Sequence, residues 1–202
     1  MTRWPGLLGG AALSLAGITC AGRASVADQD PQRLRADLTQ ALARGNPARV
    51  DSLLRGKESE PLYRYFAGVA ALDQGRVARA DSLLSGVGGE DRWPAMARRA
   101  ELAWAVGDRG RALAIADSVA GSLEATDDAR PRDWLALGVA YRLLGAREPA
   151  QFKDALVAID RAIAGDSGLV EAYVRLGKLL LEKYNGPEAR AAFGGALRRD
   201  PG

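Results

Sequence analysis

Residues 173–201 read YVRLGKLLLEKYNGPEARAAFGGALRRDP, and this stretch decides the fold. Eight positions in it hold aromatic, aliphatic or small residues at successive spacings of 3, 1, 3, 9, 4, 3 and 5. They are Tyr173, Leu176, Gly177, Leu180, Ala189, Phe193, Ala196 and Pro201. Self-similarity at a period of about 20–50 residues is typical of repeat proteins, so the rest of the chain is compared with this unit.

The preceding segment carries the same pattern with an insertion. Its first half matches at four positions: Trp134, Leu137, Gly138 and Tyr141. Its second half matches at Ala155, Ile159 and Ala162 only if residues 146–153, which contain Pro149, are inserted between two helices. A turn between helices absorbs such an insertion at little cost in free energy. Earlier copies are weaker, although Asp51–Leu54 and Asp81–Leu84 share the string DSLL.

Prolines and glycines mark the limits of the predicted helices. Four prolines are each followed 13 or 14 residues later by a glycine, in the pairs Pro31/Gly45, Pro61/Gly75, Pro94/Gly107 and Pro131/Gly145. Proline is tolerated in the first turn of a helix, and glycine supplies the left-handed residue that ends one. The composition, rich in Ala, Leu and Arg with 6% aromatic residues, favours helix throughout.

These residues resemble the tetratricopeptide repeat family. The resemblance implies an all-α fold, a right-handed superhelical solenoid of about five antiparallel helix pairs. The expected repeats cover residues 31–60, 61–93, 94–130, 131–169 and 170–202, which form an array over residues 28–202. In this family the first helices line the concave face, where a protein or peptide binds.

Counting from the matched positions predicts the residues that face the groove. They are Arg35, Tyr65, Val69, Leu72, Trp104, Leu135, Val139, Arg142, Val174 and Lys178. The strip is largely apolar, which suits an amphipathic helix or an extended peptide. Tyr65, Trp104 and Arg142 are the preferred anchors, because exposed aromatics and arginines carry disproportionate binding energy. The alternative is that several of these side chains, Leu135 and Val139 above all, are core.

Three glycines lie inside predicted helices, namely Gly68, Gly138 and Gly177. A glycine there costs up to about 1 kcal/mol relative to alanine, which is sensible only where the paired helix crosses closely. The small residues expected on the opposing helices are Ala80, Ala155 and Ala189.

Residues 1–27 have the layout of a bacterial secretory signal peptide. Arg3 precedes the apolar run 7–18, and small residues follow as far as Ala27. The run is too short for a permanent membrane anchor. Cys20 directly follows it and resembles the lipid-attachment site of bacterial lipoproteins, although Thr19 departs from that motif. Lipidation at Cys20 and simple cleavage near Ala27 are both open, and either one predicts a periplasmic or membrane-tethered envelope protein.

The residue inventory argues against enzymatic and nucleic-acid-binding roles. The chain has no histidine and one cysteine, which removes the common catalytic triads, thiol chemistry in the mature form and His-based metal sites. We therefore expect no catalytic residue, cofactor or metal. Without residues 1–27 the chain holds 26 basic and 25 acidic residues, a balance that leaves no electrostatic footprint for nucleic acid.

The sequence thus predicts a non-catalytic envelope scaffold that binds a protein or peptide in its groove, with membrane attachment only through a lipid on Cys20. Two alternatives remain open. The last repeat has no polar capping helix after it, so it could mediate self-association. The array could also be the regulatory front end of a longer envelope enzyme or assembly factor.

Overall fold

The computed structural model describes residues 30–126 and 128–200. The predicted signal peptide, Cys20 and the repeat position Pro201 lie outside the described residues. The helices belong to one compact unit that begins at Pro31. Within the described residues there is no β-strand, and the all-α solenoid expected from the sequence is confirmed.

Ten α-helices follow one another in the part of the chain that the structure describes. They are α1 (Pro31–Ala43), α2 (Pro47–Leu53), α3 (Arg64–Asp73), α4 (Val77–Ser85), α5 (Arg92–Ala105), α6 (Arg109–Leu123), α7 (Pro131–Leu144), α8 (Gln151–Gly165), α9 (Val170–Glu182) and α10 (Gly186–Arg199). A short 3-10 turn, Gly89–Asp91, precedes α5.

Each helix packs on its neighbours in the chain, and the odd-numbered helices also pack on one another in series. Contacts join α1 to α3, α3 to α5, α5 to α7 and α7 to α9. The odd-numbered helices therefore form one continuous layer, as expected for the first helices of stacked hairpins. The buried core lies between this layer and the even-numbered helices, with Phe66, Leu84, Leu137 and Ile159 among its most deeply buried side chains.

Local sequence explains most helix boundaries. Pro31 and Pro131 open α1 and α7, whereas α3 begins three residues after Pro61, and Pro94 is the third residue of α5. Side-chain caps begin two further helices. The Asn46 carboxamide oxygen accepts from the Arg49 N–H at 2.9 Å, and the Asp108 carboxylate accepts from the Arg111 N–H at 3.0 Å.

The glycine prediction holds at three of its four positions. Gly45, Gly75 and Gly107 have φ of 59°, 72° and 87°, which is the left-handed conformation expected after a helix. For Gly145 the prediction is wrong, since its φ is −57°. There the glycine serves packing, because an added Cβ would lie 2.8 Å from the Phe152 ring. The turn between α7 and α8 covers residues 145–150, so the predicted insertion 146–153 lies in it as far as residue 150, and its last three residues begin α8.

Close helix crossings explain the glycines inside helices. A Cβ at Gly68, Gly138 or Gly177 would lie 2.6–2.7 Å from Leu84, Ile159 or Phe193, the side chains of the paired helices. Real Cβ atoms essentially never approach so closely, so only glycine fits without a shift of the neighbouring side chain. The three alanines expected opposite them, Ala80, Ala155 and Ala189, are fully buried.

Candidate functional site

The candidate site is an open cavity on the inner face of the odd-numbered helices. Its volume is about 440 Å³, and α3, α5, α7 and α9 each contribute side chains to its wall. This volume lies in the range of about 300–1,000 Å³ that is usual for ligand pockets. Five of the ten predicted groove residues line it, namely Leu72, Trp104, Arg142, Val174 and Lys178.

Trp104 supplies the largest aromatic surface of the cavity. It is the penultimate residue of α5 and is partly exposed, and the Arg109 guanidinium lies 3.7 Å from its ring centroid. Arg109 also donates a hydrogen bond to the Trp104 carbonyl oxygen. A cation over one ring face and a bond to its backbone hold the indole in place, and Leu72 and Leu102 line the same cavity.

Cations lie on the opposite wall. Arg142 is held by Glu182, whose carboxylate accepts from the Arg142 Nε at 2.9 Å. Lys178 is exposed and forms no ion pair among the residues that the structure describes. The site therefore combines an apolar side around Leu72 and Trp104 with an available ammonium group.

Four of the predicted groove residues are buried. Tyr65, Val69, Leu135 and Val139 are only 3–5% exposed. The Tyr65 ring packs edge-on against Phe66, and the Arg132 guanidinium lies 4.8 Å from the ring centroid. Tyr65 thus has no free surface with which to anchor a ligand, because the core and the Arg132 side chain of α7 cover it.

Arg35, the tenth predicted residue, has an intramolecular role. Its guanidinium donates to the Asp91 carboxylate at 2.7 Å and lies 2.6 Å from the Glu90 carboxylate. Asp91 is 4% exposed and also accepts from Arg132 at 2.6 Å. This cluster ties α1 to the 3-10 turn before α5 and to α7.

A second ion cluster spans the inner face between α5 and α9. Arg98 donates to Glu171 at 2.7 Å, and Arg175 donates to Glu101 at 2.8 Å and to Glu171 at 3.2 Å. The sequence prediction missed Arg98, Glu171 and Arg175. The signal that could have found them is the opposite order of charges on the two helices. Arg98 precedes Glu101 on α5, whereas Glu171 precedes Arg175 on α9, so two first helices aligned in parallel are complementary.

The cluster keeps its carboxylates ionised. Burial by itself would raise the pKa of Glu171, but the positive charges of Arg98 and Arg175 outweigh it and lower that pKa to about 2. The pKa of Glu101 is lowered against the same burial by Arg175 and then by Arg98. Asp73, close to the same arginines, differs, because its burial raises its pKa.

The described residues offer little for other chemistries. They contain no group of three or more His, Cys, Asp or Glu side chains placed to hold a metal ion. Within that same part of the chain, no helix combines the length and the apolar character that crossing a bilayer requires.

Comparison with known proteins adds distant structural similarity only. No family model matches the chain, and no curated protein matches it. Similar solved structures include "MamA 41-end from Desulfovibrio magneticus RS-1", with 19% identity over 85% of this chain and 95% of that chain and a TM-score of 0.40. The "MamA RS-1 ArsTM double mutant" has 19% identity over 85% and 94% of the two chains and a TM-score of 0.38. A further "Crystal structure of MamA" has 16% identity over 86% and 96% and a TM-score of 0.37.

Proposed function

We propose that this protein is a non-catalytic scaffold of the bacterial envelope that binds a segment of a partner protein in its inner-face cavity. The observation that carries the proposal is the cavity of about 440 Å³ that four odd-numbered helices enclose. Stacked hairpins create extended concave surfaces, and such surfaces are what repeat proteins use for binding.

The cavity chemistry suits a segment with one large apolar side chain. Trp104, Leu72 and Leu102 offer an apolar wall for it, and a partly exposed tryptophan is a typical centre of binding energy. Lys178 and Arg142 at the opposite wall supply charge-assisted donors for the polar groups of the same segment. The lack of histidine in the chain supports a role without catalysis.

Placement in the envelope rests on the N-terminal sequence. The apolar run 7–18 and the small residues before Asp28 support export, and Cys20 supports attachment through a lipid. We propose that the protein is exported and that Cys20 is either lipidated or lost by cleavage near Ala27. Mass spectrometry of the mature N-terminus tests both: diacylglycerol on Cys20 shows the lipoprotein, a start at Asp28 shows the cleaved form, and retention of Met1 contradicts export.

The binding proposal is tested with peptides selected on the full-length protein. We expect Trp104→Ala combined with Lys178→Glu to weaken a selected peptide by at least about tenfold in fluorescence anisotropy. The matched control is Val157→Ala with Lys153→Glu, which alters exposed residues of α8 outside the cavity. We expect the control variant to retain the affinity of the unaltered protein.

Equal affinity of the cavity variant and the unaltered protein would contradict the cavity as the binding surface. Circular dichroism melting of both variants shows whether a loss of binding reflects lost fold. Photo-crosslinking from position 72 then has to label the bound peptide, since Leu72 lies in the cavity wall.

Self-association through the last helix pair is the second candidate function, and one observation favours it. Large apolar side chains are exposed there: Leu181 is 53% exposed, Tyr184 97% and Leu197 63%. Sedimentation equilibrium at increasing concentration tests it. A dimer that Leu197→Glu dissociates would support self-association, and a monomer at all concentrations would exclude it.

A further inference from the structure

The two ion pairs between α5 and α9 join helices that belong to different, non-adjacent hairpins. α7 lies between them in the layer and packs on both. The ion-pair distances of 2.7 Å for Arg98–Glu171 and 2.8 Å for Arg175–Glu101 are made by long side chains that reach across α7. We call these four residues the strap.

The strap covers an apolar floor on α7. Its four side chains line one small cavity of about 20 Å³ together with Leu135, Ala136 and Val139. Val139 is 4% exposed, whereas Leu135 is buried in a core cluster with side chains of α8 and α9 such as Ile159 and Leu179. Val139 also borders a neighbouring cavity of about 140 Å³, which shares Arg142, Lys178 and two strap residues with the main site. The floor is therefore contiguous with the main cavity and is hidden from it by charged side chains.

The strap is separable from the rest of the fold. In a repeat array, stability comes from each repeat and from its contacts with adjacent repeats, whereas the strap joins the third hairpin to the fifth. The strap consists of side-chain contacts alone, so its ion pairs can break while each hairpin keeps its own apolar contacts. The strap side chains keep contact with solvent, from 12% exposure for Arg175 to 35% for Glu171.

We propose that the strap is an autoinhibitory cover that opens without unfolding of any hairpin and exposes Val139 as an extension of the main cavity. The role of the exposed floor in ligand entry rests on the proposed function, whereas the opening itself does not. When the strap opens, α5 and α9 separate at their inner faces, and Arg98 and Arg175 become available to carboxylates of an incoming segment.

Thiol labelling tests the opening without any ligand. The full chain carries Cys20→Ser and Val139→Cys, so that the introduced thiol is the only one, and its reaction with a disulfide reagent is timed. We expect Glu101→Gln with Glu171→Gln to accelerate labelling by at least about tenfold, because local opening then becomes frequent. The matched control variant, Asp51→Asn with Asp117→Asn, neutralises two carboxylates of exposed ion pairs elsewhere. We expect it to leave the labelling rate at position 139 unchanged.

Val119→Cys reports on unfolding of the third hairpin. Val119 is 0% exposed in α6 and lies outside the strap, so its labelling rate stays the same in the strap variant if opening is local. If the strap variant accelerates labelling of the Val139→Cys and Val119→Cys thiols equally, labelling at different salt concentrations distinguishes local opening from unfolding. With the strap residues unaltered, raising NaCl from about 0.05 M to about 1 M screens the ion pairs and has to accelerate the Val139→Cys thiol alone.

Labelling at position 139 that responds to neither the strap variant nor salt overturns the proposal, and so does equal acceleration of both thiols by salt. A strap that opens in a protein that binds no selected peptide leaves the opening established and refutes only the proposed function. If the protein binds a selected peptide but labelling at position 139 changes neither in the strap variant nor with salt, only the strap proposal is refuted.

Discussion

Single glycines set how closely paired helices approach. At Gly138 an added Cβ would lie 2.7 Å from the Ile159 side chain and 3.3 Å from the Ala155 carbonyl oxygen. The carbonyl oxygen is backbone and is less able to move than a side-chain end. Gly121 on α6 is the opposite case, because nothing lies within 4 Å of its added Cβ.

We therefore expect Gly138→Ala to destabilise the protein by about 1–3 kcal/mol through overpacking. Gly121→Ala, the matched control, stabilises by about 0.5 kcal/mol because alanine is the better helix former. Urea unfolding followed by circular dichroism measures both. Equal stability of the two variants would show that the α7–α8 crossing is looser than the described distances.

Tyr184 departs from the pattern of the other turns between paired helices. It has φ of 61° where Gly45, Gly75 and Gly107 provide the left-handed residue, and its side chain is 97% exposed. A non-glycine residue in this conformation costs about 1–2 kcal/mol, and no buried contact offsets it at such exposure.

Tyr184→Gly should accordingly raise the free energy of unfolding by about 0.5–1 kcal/mol, as relief of strain exceeds the added entropy of the unfolded chain. The reciprocal change, Gly75→Ala, lowers it by about 1 kcal/mol, since φ there is 72° and no steric contact is added. Thermal melting of both variants is the measurement. A lower melting temperature for Tyr184→Gly would refute the strain.

At the scale of helices, arginines join hairpins that are two apart in the chain. The Asp91 cluster links the first, third and fourth hairpins through Arg35 and Arg132, and the strap links the third and fifth. Arg44 after α1 also lies 3.7 Å from Asp200 after α10, so the first and last hairpins meet at one ion pair. These contacts therefore join hairpins that adjacent packing alone would not connect.

Removal of the Asp91 carboxylate, which Arg35 and Arg132 share, should lower the free energy of unfolding. Asp91→Ala leaves Arg132 without its carboxylate and Arg35 with Glu90 alone, and it should destabilise by about 2–3 kcal/mol. Asp117→Ala removes an exposed pair with Arg147 and should change stability by less than about 1 kcal/mol. Denaturant titration compares the two, and similar losses would contradict the structural role of Asp91.

For the whole molecule, the strap couples stability to pH. The pKa of Glu171 is about 2 in the folded protein against 4.5 as its ordinary value. The unfolded chain therefore binds a proton at higher pH than the folded chain does. The stabilising contribution of Glu171 is complete above pH 4.5 and is lost as pH falls towards 2.

Consequently, we expect the difference in unfolding free energy between the unaltered protein and Glu171→Gln to be constant above about pH 5 and to shrink below it. Denaturant titrations between about pH 2.5 and 7 measure this difference. Asp73 acts in the opposite direction, because its raised pKa makes its contribution decrease as pH rises. A difference that does not vary with pH would show that Glu171 is not held ionised by Arg98 and Arg175.

The sequence by itself determined the helices, their pairing and the positions of close crossing. Proline, glycine and periodic apolar residues act through local backbone preferences and through contacts between neighbouring helices, so a short stretch contains the whole signal. Gly145 is the exception. It does not adopt the left-handed conformation, and its lack of a Cβ instead leaves room for the ring of Phe152, which lies beyond the turn.

Only the tertiary structure decided which inner-face residues are free. Tyr65, Leu135 and Val139 occupy the positions counted for the groove, yet contacts with neighbouring core residues bury them, while Trp104 and Lys178 line the open cavity. The physical reason is how far apart in the sequence the interacting residues lie. Helix periodicity is local, whereas tertiary contacts such as the Arg98–Glu171 ion pair join residues 73 positions apart.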